Sequence, residues 1–251
     1  MPTAEEMNQT IKLIEEISRK FGIEDAYFVG GYPRSLAMGL GLEDVHDLDV
    51  ATGRPGRAEE LAGFVAEAGK ADDIYEHTRV STVTVTFGDL EVDFQGHESH
   101  EGARPYVRLA GVPETPIALN IFDRDFTANS LAIKIGTTEL VDMTNRGIAD
   151  IKAKRVITIL PPDVKVPEDP LVITRAIKLA AKYNFTIDKE LWKQMKKHVS
   201  LLERKLTPSR LSIEAFVLSK YPQSKDYIDM LGIKYLEMPE VIEMGKKETE
   251  S

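Results

Sequence analysis

The chain has 251 residues, and its apolar fraction of 42% is enough to form one large domain or two small ones. The net charge of −9 argues against nucleic-acid binding over the whole surface, and the lack of cysteine excludes disulfides, thiolate catalysis and zinc–thiolate sites. No stretch resembles a signal peptide or a membrane span, so we expect a cytoplasmic protein that makes no membrane contact.

The first predicted elements are a helix, a strand and a glycine turn. Thr3 and Glu6 have the spacing of a capping box, which opens an amphipathic helix. The apolar residues 26–29 predict a buried strand that ends at Gly30 and Gly31 and is followed by a second helix. A strand, a glycine turn and a helix in this order leave backbone N–H groups that favour a phosphate.

Two carboxylates follow in the next predicted strand, residues 48–51. Asp47 and Asp49 share one face because strand side chains alternate. Aspartate is uncommon in strands, so the pair indicates a function, with a solvated turn at the strand end as the alternative. Carboxylates bind Mg²⁺, and Mg²⁺ beside a phosphate is what metal-assisted phosphoryl transfer requires. The sequence therefore predicts that Asp47 and Asp49 are metal ligands.

A hairpin further along offers a third carboxylate. Residues 81–87 alternate Thr and Val, a Gly-Asp turn follows, and residues 90–94 form the second strand. Glu91 and Asp93 lie on one face of that strand, so either could complete the metal site if the strands are adjacent. The alternative is a solvent-facing pair on an edge strand.

The remaining pattern divides the chain. Residues 96–118 are rich in Gly, Pro and His and predict a long functional or mobile loop, in which residues 97–100 lack the further ligands of a metal site. Prolines near residues 161–167 mark the change to a helical part. The other predicted elements are helices at 55–68, 168–184, 188–204, 208–219 and 223–231 and a hairpin of 131–135 with 139–142.

Two polar segments have both structural and functional interpretations. Residues 123–129 precede a predicted apolar helix, so Asp125 or Thr127 is an N-cap candidate, whereas the functional interpretation gives Arg124 a phosphate and Asp125 or Asn129 a ribose or base. The second segment, residues 167–170, opens the first long helix. Its structural interpretation is an N-cap at Asp169 followed by a proline at the first helical position. Its acidic residues could also recognise a base edge.

Five motifs occur in the order of one known family. They are Gly30-Gly31-x-x-Arg34, Asp47-x-Asp49-x-x-Thr52, Arg124-Asp125-Phe126-Thr127-x-Asn129, Asp142 with Gly147-x-x-Asp150-Ile151, and Glu168-Asp169-Pro170-Leu171. Together they resemble the head and neck of the bacterial-type (class II) CCA-adding tRNA nucleotidyltransferases and the bacterial poly(A) polymerases. The resemblance covers roughly residues 22–215.

The resemblance implies an α/β (α+β) fold and an enzymatic activity. The expected fold is a catalytic nucleotidyltransferase head with a mixed β-sheet at residues 1–160, then an all-helical neck at 161–251 without the family's body and tail. The expected reaction transfers a nucleoside monophosphate from ATP, or from CTP as a further candidate, to the 3′ hydroxyl of an RNA, most simply a tRNA, with two Mg²⁺ ions. A partner subunit or a homo-oligomer is left open as a replacement for the body and tail.

The resemblance also implies roles for individual residues. Asp47 and Asp49 would be the catalytic metal ligands, and Glu91, rather than Asp93, matches the family's third acidic position. The implied nucleotide-binding residues are Gly30, Gly31 and Arg34 for the triphosphate, Arg124, Asp125 and Asn129 for phosphate and ribose, and Glu168, Asp169 and Arg175 on the helix that recognises the base.

Three positions depart from the family's pattern. The family's Arg-Asp after the glycines is Arg34-Ser35, and the first arginine of its Arg-Arg-Asp is Asp123. The arginine that ends its Glu-Asp-x-x-Arg motif is Val172, which cannot donate a hydrogen bond to a base. We therefore expect weak selection among nucleoside triphosphates, or a preference for one. Transfer to a non-RNA acceptor and a nucleotide-binding half of a split or inactive enzyme are the alternatives.

A basic segment in the second part is the predicted RNA contact. Residues 189–210 carry seven basic and two acidic side chains, although the chain as a whole is acidic. Lys193, Lys196 and Lys197 follow Lys189 at helical spacings, which places them along one side of a helix. These lysines have two interpretations. They form either an ordinary solvated helix face or a surface that binds the RNA backbone.

Overall fold

The computed structural model describes residues 2–54, 56–77, 81–96 and 102–234. The chain forms two compact units, Met1–Ile151 and Lys152–Ser251. The sequence places the boundary between residues 160 and 161, and the division into a catalytic head and a shortened neck stays a prediction. The interpretation of residues 97–100 lies outside the described residues.

The first unit is built on one mixed sheet. Its elements are α1 (Ala4–Lys20), β1 (Ala26–Val29), α2 (Gly31–Ala37), β2 (Asp47–Thr52), α3 (Arg57–Gly69), β3 (Asp73–His77), β4 (Thr82–Phe87), β5 (Leu90–Gln95), α4 (Arg104–Leu109), α5 (Pro116–Asp123), β6 (Leu131–Lys134), β7 (Leu140–Asp142) and α6 (Gly147–Lys152). The seven strands lie in the order β3-β4-β5-β2-β1-β6-β7. Only β2 and β5 are parallel neighbours. The predicted mixed α/β fold and both predicted hairpins are confirmed.

The core lies between one face of this sheet and the helices α1 and α3. Val92 and Phe94 of β5 are fully buried among Ile14 of α1 and Leu61 of α3. Burying a side chain of this size contributes about 2 kcal/mol. Because strand side chains alternate, the residues between these apolar positions point to the opposite face. That face carries the carboxylates of β2 and β5. The capping box that opens α1 is formed as predicted.

Three elements of the first unit differ from the sequence-based expectation. All five side chains of β3 are exposed, so its sequence lacks the alternation of apolar and polar residues from which a strand is predicted. The segment predicted as a long loop contains α4 and the start of α5. Glu114, which lies between these two helices, pairs with Arg104 at 2.6 Å and with Arg108 at 2.5 Å, both on α4. Residues 127–129 form a single 3-10 turn before β6, so the apolar helix expected there is a strand.

The second unit is helical apart from one short pair of parallel strands. Its elements are β8 (Arg155–Val156), α7 (Pro162–Glu168), α8 (Leu171–Tyr183), β9 (Thr186–Ile187), α9 (Lys189–His198), α10 (Leu201–Lys205), α11 (Pro208–Ser219) and α12 (Ser224–Leu231). The predicted helices 168–184 and 188–204 are interrupted at residues 169–170 and 199–200. Within the described ranges, no helix combines the length and the apolar character needed to cross a membrane.

Candidate active site

The glycine turn after β1 lies against the carboxylate of Asp49. The antiparallel pairing of β1 with β2 sets Val29 opposite Asp49, which brings the turn to the start of β2. Gly30 has a φ of 72°, which favours glycine. A Cβ atom at Gly30 would overlap Oδ2 of Asp49 and lie 2.9 Å from Nη1 of Arg124. Glycine is therefore required here both by conformation and by the close approach of a carboxylate and a guanidinium.

A second carboxylate, of Asp47, and a second guanidinium, of Arg34, lie close to Gly31 in the same turn. A Cβ atom there would lie 3.6 Å from Oδ1 of Asp47 and 3.7 Å from Nη2 of Arg34. Asp47 is exposed, whereas Arg34 is half-buried. The structure thus gathers six predicted site residues around one turn, and these are Gly30, Gly31, Arg34, Asp47, Asp49 and Arg124.

Arg124 is oriented by two amide side chains that sequence reasoning missed. Its Nη1 lies 3.7 Å from Oδ2 of Asp49, its Nε donates to Oδ1 of Asn120 at 3.1 Å, and its Nη2 donates to Oε1 of Gln95 at 3.2 Å. Gln95 in turn donates to Oδ1 of Asp49 at 3.0 Å. A signal existed for both: Asn120 precedes Arg124 by one helical turn, and Gln95 follows Asp93 on the same strand face.

The charge balance around Asp49 favours a bound cation. Burial, together with the nearby carboxylates of Asp47 and Asp93, raises the pKa of Asp49 to about 6, against the opposing effect of Arg124 and Arg34. A carboxylate that is crowded by other carboxylates gains from a cation that neutralises them. Oxygen donors of this kind fit Mg²⁺. In the part of the chain that the structure describes, no three His, Cys, Asp or Glu side chains are already placed around one metal position.

The third carboxylate has two candidates whose surroundings differ. The parallel register sets Asp47 beside Glu91 and Asp49 beside Asp93. Glu91 is exposed. Asp93 is half-buried and accepts a hydrogen bond from the hydroxyl of Thr84 at 2.6 Å. Both residues share the face of Asp47 and Asp49, as expected, and the choice of Glu91 stays a prediction.

Residues 127–130 hold Asn129 beside Arg34. The guanidinium of Arg34 donates to Oδ1 of Asn129. The buried Thr127 hydroxyl donates to Oδ2 of Asp150 at 2.8 Å, and Ser130 donates to the Thr127 carbonyl at 2.7 Å. Neither N-cap interpretation is correct, because the residue preceding this 3-10 turn is Phe126. The buried Asp150 of the fourth motif thus supports the site rather than lining it.

The predicted base-recognition residues belong to the second unit. Glu168 is the exposed last residue of α7. Asp169 accepts the N–H of Leu171 at 3.0 Å and pairs with Nη1 of Arg175 at 2.9 Å. Asp169 is not the N-cap of α8, as the sequence suggests, because Pro170 occupies that position. Val172 is completely buried.

The predicted RNA-binding lysines lie on α9. Lys193, Lys196 and Lys197 are all exposed, whereas Gln194 and Met195 between them are buried, so the lysines share the outer side. Lys193 pairs with Glu190 at 3.3 Å, and the ammonium of Lys196 lies 5.2 Å from the centre of the Trp192 ring. Their contact with RNA stays a prediction.

Comparison with known proteins identifies the family. Residues 26–157 match the model of the poly A polymerase head domain. The CCA-adding enzyme of Levilactobacillus brevis is 30% identical over 195 residues, which cover 77% of this chain and 46% of that enzyme. The A-adding tRNA nucleotidyltransferase of Aquifex aeolicus is 30% identical over 227 residues, which cover 87% of this chain and 26% of that enzyme.

The solved structures agree with this match. A tRNA-processing enzyme with CTP superposes with a TM-score of 0.67 at 26% identity, covering 92% of this chain and 57% of that one. The chain spans about half the length of the curated CCA-adding relatives that it matches. The family model covers more than half of the chain and includes the turn, the strands and the arginine of the site. The chain therefore belongs to the poly A polymerase head domain family.

Proposed function

We propose that this protein transfers a nucleoside monophosphate from a nucleoside triphosphate to the 3′ end of an RNA, and that the RNA is a tRNA. The observation that carries the proposal is the contact of Asp49 and Arg124 with the backbone of Gly30, where a Cβ atom would not fit. Acidic metal ligands, a guanidinium and free backbone at one turn are the parts that phosphoryl transfer requires. The names of the relatives, CCA-adding and A-adding, support RNA as the acceptor.

Each residue of the turn has a role in this reaction. Asp47 and Asp49 would hold Mg²⁺ with Glu91 as the third catalytic carboxylate, and the ion would neutralise charge on the phosphate oxygens. Arg34 and Arg124 bind phosphate, and Gly30 and Gly31 let it approach the backbone. Gln95 and Asn120 orient Arg124. Asp125 and Asn129 bind the ribose.

The chemical step is a displacement at the α-phosphorus. The 3′ oxygen of the RNA forms a new bond to that phosphorus, and the bond to the leaving pyrophosphate breaks. Two fixed guanidinium groups stabilise the negative charge that spreads over the phosphate oxygens. Because Arg124 is already hydrogen-bonded to Asn120 and Gln95, little reorganisation is needed when the nucleotide binds.

Nucleotide selection rests on the second unit. We assign base recognition to Glu168, Asp169 and Arg175. The buried valine at position 172 has no donor for a base, so the donor nearest to this motif is Arg175, which pairs with Asp169. A single such pair supports a preference for one nucleotide, with ATP as the first candidate, rather than an ordered programme of two.

The test is an incorporation assay with defined acceptors. The protein, Mg²⁺ and each labelled nucleoside triphosphate in turn are incubated with a tRNA that lacks its 3′-terminal nucleotides and with the completed tRNA. We expect label in the shortened tRNA only, and most label from one nucleotide. Nucleotide binding without transfer to any tRNA would contradict the proposal. Label on another molecule in the same assay would instead support a non-RNA acceptor.

A further inference from the structure

The face of the sheet that carries the carboxylates continues to the edge strand β3. The strand registers align Asp49 with Asp93, Asp93 with Thr84, and Thr84 with Tyr75. These residues form one row across β2, β5, β4 and β3. With a spacing of about 4.8 Å between strands, Tyr75 lies about 14 Å from Asp49. None of the five family motifs includes a residue of β3.

The aromatic end of the row is held in place. The ring of Tyr75 packs edge-on against His77, with 4.6 Å between the ring centres and 77° between the planes. A ring nitrogen of His77, Nε2, lies 3.0 Å from the Thr84 hydroxyl, and that hydroxyl donates to Asp93 at 2.6 Å. Hydrogen bonds thus tie the aromatic pair to a residue beside Asp49. Tyr75 is nevertheless 60% exposed, so its ring is accessible to a ligand.

We propose that Tyr75 and His77 form a stacking platform for a base near the 3′ end of the RNA acceptor. This inference rests on the proposed function. A single-stranded end whose 3′ oxygen lies at Asp47 and Asp49 can reach Tyr75 within a few nucleotides. Aromatic rings bind bases of any identity through their faces, so such a platform positions the strand without selecting its sequence.

The charges of this face favour a base over a phosphate as the contact. Asp73 on β3 and Glu91 on β5 lie on the same face as Tyr75 and Asp93, so phosphate groups find repulsion there. At this end of the row, the rings of Tyr75 and His77 are the groups that can contact a nucleic acid, through a base. The backbone would then run along the outside of the row, with its bases turned towards the sheet.

Substitutions at Tyr75 separate stacking from simple apolar contact. Tyr75→Ala and Tyr75→Leu should raise the RNA KM about tenfold and leave the KM for the nucleoside triphosphate unchanged. Tyr75→Phe and Tyr75→Trp keep a ring and should stay close to the wild type. Ile74→Ala is the matched control, because Ile74 is 50% exposed on the same strand and points to the opposite face. An unchanged RNA KM in Tyr75→Ala, or equal effects of the Leu and Phe variants, would overturn the platform.

RNAs with a single abasic nucleotide locate the stacked base. In the wild type, an abasic nucleotide at one of the last few positions should weaken binding more than at its neighbours. In Tyr75→Ala, that position should lose its special effect, because the stacking partner is already gone. If every position weakens binding equally in both proteins, no base stacks on Tyr75.

A binding experiment keeps this inference separate from the proposed function. Anisotropy of a labelled single-stranded RNA, measured without nucleoside triphosphate, reports the platform even if no nucleotide is transferred. Tyr75-dependent binding without transfer would support the platform and contradict the function. Nucleotide transfer with RNA binding that does not depend on Tyr75 would support the proposed function and contradict the platform. A change of oligomeric state in Tyr75→Ala, seen by gel filtration with RNA binding unaltered, would assign the edge strand to a second copy and overturn the platform.

Discussion

Arg34 donates a hydrogen bond to the side-chain oxygen of Asn129, a residue 95 positions later in the chain. The bond joins the glycine-turn motif to the arginine–aspartate motif, so neither residue acts alone. Arg34→Ala and Asn129→Ala should each raise the Kd for the nucleoside triphosphate about tenfold, because each removes one contact with the nucleotide and frees the other side chain to move. The double variant should cost less than the sum of the two, with a coupling of about 1 kcal/mol. Calorimetric titration with a non-hydrolysable nucleotide checks this, and strict additivity would contradict it.

The carboxylates of β2 are expected to be essential for turnover. Asp47→Ala or Asp49→Ala should reduce nucleotide transfer by at least about a thousandfold, because each removes a ligand of the ion that stabilises the transition state. Circular dichroism should show an unchanged fold. Glu67→Ala, an exposed acid on α3, is the control and should retain full activity. Near-normal transfer by both aspartate variants would rule out the metal site.

The raised pKa of Asp49 predicts a stability that depends on pH. The folded, metal-free protein binds this proton more tightly than the unfolded chain does, since the pKa is about 6 in the fold. Stability attributable to Asp49 is therefore lost as the pH rises from about 4 to about 6 and stays lost above that. Asp49→Asn should then be more stable than the wild type at pH 7.5 by on the order of 2 kcal/mol, and no more stable at pH 4.

Urea denaturation in EDTA at the two pH values measures this difference. The same experiment with Mg²⁺ should restore stability to the wild type at pH 7.5, because the ion replaces the proton. Mg²⁺ should do little at pH 4, where the carboxylate is protonated. A difference between the two proteins that is equal at both pH values would contradict the assignment of the titrating group.

Ser35, where the family has an aspartate, should be replaceable. Its side chain is buried and its hydroxyl has no hydrogen-bond partner among the described residues. Removing an unsatisfied buried hydroxyl should leave stability unchanged or raise it by about 1 kcal/mol in Ser35→Ala. Ser130→Ala is the matched control, because that buried hydroxyl contacts the Thr127 carbonyl and the Thr144 hydroxyl. We expect Ser130→Ala to lose about 1–2 kcal/mol by denaturant unfolding.

The lysines of α9 should affect RNA and not nucleotide. Replacing Lys193, Lys196 and Lys197 with Glu should raise the RNA KM and lower the salt dependence of binding by roughly one slope unit for each lost phosphate contact. The KM for the nucleoside triphosphate should stay the same. Glu at Lys220, Lys225 and Lys234, which are exposed elsewhere in the second unit, makes the same charge change and serves as the control. If both triple variants behave alike, α9 is a solvated surface.

Local sequence patterns predict that Asp47 and Asp49 share one face of a strand, but they do not predict that Gln95 contacts Arg124. Asp47 and Asp49 share a face because alternation is a property of any strand, so the sequence alone indicates it. Asn120 lies one helical turn before Arg124, so its contact leaves a local signal, and strand alternation places Gln95 on the face of Asp93. The contact of Gln95 with Arg124, however, depends on the pairing of β2 with β5 and on the packing of α5, which leave no local signal.

Elements without an apolar pattern were missed for a related reason. All side chains of β3 are exposed, and its hydrogen bonds to β4 come from the backbone, which sequence patterns do not record. Val172 is a different case, because its effect on nucleotide selection stays a prediction. The family motif suggests a position that faces a base, whereas the valine is buried in the core, where an apolar residue is what the packing requires.

The parallel pairing of β2 with β5 has a consequence for how the protein folds. All other neighbouring strands of the sheet are antiparallel, and four of those pairs join consecutive strands. The segment between β2 and β5 contains α3, β3 and β4, so closing this pair carries the entropy of a long loop. Contacts of that kind slow the search for the native topology. We therefore expect the acidic cluster to be completed only after the hairpin of β4 and β5 has formed, so that this hairpin folds without repulsion between the carboxylates of β2 and those of β5.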